Sequence, residues 1–126
     1  MKIYSNITFF YYKDLDEAAD FYENILGAQL IQDQKMAKIY KFGKSYFGIV
    51  DGEKGSLKAQ DKNAAMLTFL VDSVEEWTAY FHEKGVKCFK DISMGKFAHS
   101  SFFIDPGGYV VEFQRFLDED VQKEFE

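Results

Sequence analysis

The chain repeats itself, and the repeat constrains its architecture more than any other feature. Residues 7–27, ITFFYYKDLDEAADFYENILG, and residues 66–85, MLTFLVDSVEEWTAYFHEKG, share one plan and begin 59 positions apart, at Ile7 and Met66. Each opens on an apolar run, Ile7 to Tyr12 and Met66 to Val71. Each then meets a helix-start signal: Asp14 with Glu17 three places on, and Ser73 with Glu76 three places on. In both, a side-chain oxygen can take an orphan amide while the acid sits near the positive end of the helix. Apolar residues then recur at helical spacing, at Leu15, Ala18, Tyr22 and Ile25 and at Val74, Trp77, Tyr80 and Phe81. Gly27 and Gly85 come next, where a left-handed C-cap is expected. A period this long marks a duplicated unit and not a short-repeat solenoid.

The segments after each helix also match. Residues 28–33 and 86–91 read as short strands, 35–43 and 99–108 as strands running into tight turns, and 44–52 and 109–116 as return strands. Each half is therefore β-α-β-β-β, and the fold class is α+β. The first module is expected over 1–52, a polar linker over 53–64, the second module over 65–117 and an acidic tail over 118–126. Residues 92–99 read as a loop.

At 47% hydrophobic and 18% aromatic residues, the 126-residue chain has ample core material and an excess of rings for any cavity wall. The net charge of −6 comes without a basic patch, which argues against nucleic acid or an anionic membrane as partner. No apolar run approaches membrane-spanning length and the N-terminal residues lack a signal-peptide pattern, so a cytoplasmic setting is expected. The single cysteine, Cys88, has no base beside it in sequence and reads as a small buried apolar residue. His82 reads as a surface helix position.

One residue stands out. In DPGGYVVEF, residues 105–113, a tight turn leads into a strand that is apolar except for Glu112. A carboxylate on a covered strand is costly unless it is paired, protonated or bound to a metal. Alternation places Glu112 with Val110 and Gln114 on one face, and Val111 and Phe113 on the other.

KDLDEAADFYENILG, VDSVEEWTAYFHEKGV and FFIDPGGYVVEF together resemble the vicinal oxygen chelate superfamily. It includes glyoxalase I, extradiol dioxygenases, fosfomycin-resistance enzymes and bleomycin-resistance binding proteins. The resemblance spans nearly the whole chain. It implies two tandem β-α-β-β-β modules forming a cup-like, partly open mixed barrel that holds a ligand. It also implies metal ligands, in the metal-dependent members, from the first and last strands of each module, and it places Glu112 at the last of these positions. The other positions fall on Ile7, on Met66, and on Phe47 or, with one residue of slip, Gly48. None of these suits a divalent ion at an oxygen/imidazole site. No metal and no cofactor is therefore expected.

The expected ligand-binding set is Glu112, His99, Tyr11, Phe9, Phe47, Met66, Thr68 and Gln114. The rings would hold a small organic molecule by area and stacking, and the polar groups would orient it. The expectation is a metal-independent binding protein of the bleomycin-resistance kind, and a homodimer because the resemblance implies one. The alternative is a lyase or dioxygenase-like enzyme acting on a small carbonyl or aromatic substrate.

Overall fold

A computed structural model describes residues 1–126, which form two units, Met1–Asp61 and Lys62–Glu126. The first contains β1 (Thr8–Tyr12), α1 (Leu15–Asp20), β2 (Gln29–Asp33), β3 (Ala37–Phe42) and β4 (Ser45–Asp51). The helix runs on from α1 as a wider π-helical turn over Phe21–Ile25, in which Leu26 N donates to Phe21 O at 3.0 Å. The second contains β5 (Met66–Leu70), α2 (Val74–Glu83), β6 (Cys88–Met94), β7 (Ala98–Ile104), β8 (Val110–Phe116) and α3 (Glu119–Lys123).

Each unit is one open, four-stranded mixed sheet, ordered β1-β4-β3-β2 in the first and β5-β8-β7-β6 in the second. The first and last strands of each module pair in parallel, and the remaining pairs are antiparallel. The duplication read from sequence is thus a duplication of topology.

Local chemistry accounts for the shared plan. Asp14 accepts from the backbone of Glu17 at 3.0 Å and Ser73 from that of Glu76 at 3.2 Å, capping α1 and α2. Gly27 and Gly85 end the helical segments at φ of +75° and +71°, in the left-handed region where a Cβ is disfavoured.

In each unit the helix covers one sheet face. In the first unit Phe10, Tyr12, Tyr40, Phe47 and Ile49 are buried on the face that meets Tyr22. In the second unit Val111, Phe103 and Phe113 are fully buried, with Phe81 and Trp77 of α2 packed on the Phe113 ring at 4.6 and 5.1 Å. Burying each such ring stabilises the fold by about 1.5–3 kcal/mol.

One segment differs from expectation. Residues 92–99 are not one loop: β6 runs to Met94 and β7 begins at Ala98. Two register shifts in β6, between Cys88 and Lys90 and between Lys90 and Ser93, break the period-two pattern by which a strand is read. The acidic tail is anchored. Gln122 of α3 is fully buried and its side-chain oxygen accepts from Phe116 N at 2.9 Å.

Candidate functional site

The sheet register sorts the expected residues by face. Along β5 and β8 the cross-strand partners are Met66 with Val110, Thr68 with Glu112 and Leu70 with Gln114. These six share the face opposite α2, because alternate residues of a strand point the same way. Met66, Thr68, Glu112 and Gln114 are therefore brought together as expected from sequence.

Glu112 is 5% exposed. Thr68 Oγ1 donates to Glu112 Oε1 at 2.7 Å, and Gln114 Nε2 donates to Glu112 Oε2 at 3.4 Å. Both carboxylate oxygens are thus held, one tightly and one loosely, which meets the condition for keeping a carboxylate out of water.

The same place in the first unit is built differently. Phe9 pairs with Gly48 as Thr68 pairs with Glu112, at equivalent points of the duplicated topology. The Phe9 ring lies over Gly48, in the space a side chain at that position would need. Phe9 and Tyr11 share this face of β1, opposite α1, and Phe9 is 39% exposed. Of the two candidates left open for the equivalent of Glu112, the register selects Gly48.

Phe47 and His99 do not join these groups. Phe47 points the other way from Gly48, into the helix-covered core, with its ring 4.8 Å from Tyr22 and 5.5 Å from Tyr40. A count along the return strand from the preceding turn lands one residue short, and one residue reverses the face. His99 pairs with Arg115 and so shares the α2 face with Ser101 and Phe103. Its Nδ1 lies 3.5 Å from a carboxylate oxygen of Glu75, on α2. His99 and Glu112 are therefore on opposite faces of the same sheet.

A divalent metal at Glu112 finds no matching donor set. The same face of β5, β7 and β8 offers Met66, Thr68, Ser100, Phe102 and Gln114 around Glu112, with no imidazole and no second carboxylate. Ile7, Phe9 and Gly48 occupy the corresponding positions of the first unit. On this face of the second unit Glu112 is the one side chain of the carboxylate or imidazole kind that Zn, Mn or Ni takes. What the face can do is accept hydrogen bonds through Glu112, exchange them through Thr68 and Gln114, and cover apolar surface.

The matching topologies of the two units and the Glu-bearing final strand define a class, and a family comparison agrees. The chain belongs to the Glyoxalase/Bleomycin resistance protein/Dioxygenase superfamily, whose model matches residues 5–113. It is 28% identical to a lactoylglutathione lyase of Schizosaccharomyces pombe, over 85% of this chain and 45% of that protein, so it spans less than half of that relative's length. Among solved structures it resembles a lactoylglutathione lyase from Agrobacterium tumefaciens, with a TM-score of 0.73 and 20% identity over 86% of this chain and 90% of that one. It also resembles a fosfomycin resistance protein from Listeria monocytogenes, with a TM-score of 0.76 and 20% identity over 95% and 98%. At such identities the structural likenesses establish the fold alone.

Proposed function

We propose that this chain is a small-molecule-binding member of its superfamily that takes an organic ligand on the Glu112 face without a metal there. The observation that carries the reading is the pair of equivalent positions. Where the second unit keeps a buried, hydrogen-bonded carboxylate, the first has a ring lying on a glycine. One acceptor without partner ligands suits recognition of a donor group. A protonated amine or an N–H on a flat or greasy molecule would meet Glu112 and exchange bonds with Thr68 and Gln114. Met66, exposed on the same face, offers apolar area to such a molecule. The net charge of −6 favours a cationic ligand.

The reading includes a homodimer and a reducing, cytoplasmic setting. Exposed Leu30 and Ile31 on β2 and Phe89 and Met94 on β6 support assembly, and light scattering tests it. No helix is long and apolar enough to cross a membrane.

The similarity to a lactoylglutathione lyase supports a second reading, an enzyme acting on a small carbonyl compound with Glu112 as acid or base. A thermal-shift screen of amine-bearing aromatic molecules, repeated on Glu112→Gln, tests the first reading. Binding is expected to weaken at least about tenfold, the loss of one charge-assisted hydrogen bond. Unchanged affinity in the variant would overturn the first reading, and turnover of a hemithioacetal by the purified wild type would replace it with the second.

A further inference from the structure

Cys88 has no base beside it in sequence, but the fold supplies one. The donor atoms of His82, Cys88 and Asp91 all lie within 4.8 Å of one another. His82 is on the last turn of α2, and Cys88 and Asp91 are on the edge strand β6. His82 Nε2 stands 3.5 Å from Asp91 Oδ1.

A bulge produces this meeting. In an unbroken strand residues 88 and 91 would face opposite ways. Cys88 pairs with Phe103 but Lys90 pairs with Phe102, so β6 carries one extra residue there. The shift turns Asp91 to the side of Cys88, where it reaches His82 near the end of α2, and a second shift comes before Ser93. The partners are held in place. The His82 ring sits 5.3 Å from the Phe103 ring, edge to face, and Ile92 N donates to Asp91 Oδ1 at 2.8 Å.

We infer that His82, Cys88 and Asp91 form a binding site for a zinc-class divalent cation, with water completing the coordination sphere. The donor set is an imidazole, a thiolate and a carboxylate, the types a borderline-soft ion takes. Ligands bound at zinc distances in tetrahedral array lie roughly 3.4 Å apart. The His82–Asp91 separation of 3.5 Å already matches, and the sulfur, within 4.8 Å of both, would close in by rotation about its Cα–Cβ bond, giving up its 3.7 Å contact with Phe102 O. Bound thiolate and carboxylate carry two negative charges, which balance the ion. The thiol proton leaves to solvent as the sulfur–metal bond forms.

A nucleophilic cysteine fits the site less well. Partial burial and the Asp91 charge push the Cys88 thiol above its ordinary range, which leaves less thiolate to attack a substrate. A cation reverses that balance by taking the thiolate directly. The site lies on the α2 face of its sheet and Glu112 on the opposite face, so the two are separate.

Cobalt(II) titration of the full chain tests the inference, since a cobalt–thiolate bond gives a near-ultraviolet charge-transfer band and Cys88 is the only cysteine. The wild type should develop the band at one equivalent and lose it when zinc is added. Cys88→Ser should abolish it. His82→Ala and Asp91→Asn should each weaken cobalt binding by about tenfold or more, and Glu112→Gln should leave it unchanged. Circular dichroism confirms that each variant is folded, and Cys88→Ala serves where Cys88→Ser is not. Absence of the band in folded wild type would overturn the inference. So would a band of undiminished affinity in both His82→Ala and Asp91→Asn, because the sulfur would then be binding alone.

Discussion

Thr68 donates its hydroxyl hydrogen to Glu112 across the parallel β5–β8 pair at 2.7 Å, and Glu112 is buried. The hydroxyl therefore offsets the cost of a carboxylate in the sheet. Thr68→Val keeps the shape and removes the donor, leaving the long Gln114 contact to hold Glu112. We expect a loss of about 1–3 kcal/mol in urea unfolding. The double variant Thr68→Val/Glu112→Gln should lose less than the sum of the two single changes, since they share one interaction. Additive losses would show that the pair is uncoupled.

The glycine under Phe9 gives a second expectation. A methyl group at Gly48 meets the Phe9 ring, so Gly48→Ala must displace it or strain the strand. The expected cost is about 1–3 kcal/mol, typical of overpacking. In a Phe9→Ala background the same substitution should be close to neutral. A full cost in that background would place the strain in the backbone instead, where Lys38 O lies 3.3 Å from the added carbon.

These two pairs show how far the chain is legible as a sequence. The repeat, the caps at Asp14 and Ser73 and the terminating glycines are legible because each rests on chemistry within a few residues. Thr68 and Glu112 can be assigned to one face by alternation, which needs only an unbroken strand. Phe47 cannot, because its face depends on where β4 starts, and one residue of error inverts it. His99 reads as the end of a loop because the bulged β6 beside it carries no alternating pattern to extend the hairpin. The meeting of Cys88 and Asp91 is hidden for the same reason: three residues apart in a regular strand, they would face opposite ways.

The placement of His99 makes a negative prediction for binding. It faces α2 and pairs with Glu75, whose side chain is 68% exposed, so the pair is worth about 0–1 kcal/mol. His99→Ala should reduce stability within that range and leave ligand affinity on the Glu112 face unchanged. A drop in affinity comparable to that of Glu112→Gln, with folding intact, would restore His99 to the binding set.

A buried hydroxyl pair in the second unit is open to a similar test. Thr78 Oγ1 lies 2.6 Å from Val74 O and 2.7 Å from Ser101 Oγ, joining α2 to β7. Thr78→Val removes the partner of the fully buried Ser101 hydroxyl. A cost of about 1–3 kcal/mol is expected, mostly recovered when Ser101→Ala is added, because neither polar group is then stranded. No recovery in the double variant would mean that volume, and not hydrogen bonding, sets the cost.

Tyr40 ties the first unit's stability to alkaline pH. Its side chain is fully buried, and its hydroxyl donates to Glu23 Oε2 at 2.7 Å. Burial, the hydrogen bond and the Glu23 charge, in that order, hold the phenol well above its ordinary range. In the unfolded chain the group ionises near pH 10. Below that pH both states are protonated and the group's contribution is fully present. Above it the unfolded state releases a proton that the folded state keeps, so stability falls by about 1.4 kcal/mol for each further pH unit. Tyr40→Phe removes this slope while keeping the ring beside Tyr22 and Phe47. Urea unfolding from about pH 9 to 11.5 should therefore show wild type losing stability faster than Tyr40→Phe, with the difference opening only above about pH 10. Parallel curves for the two proteins would show that Tyr40 ionises as freely in the folded state as in the unfolded one, and that its bond to Glu23 does not restrain it.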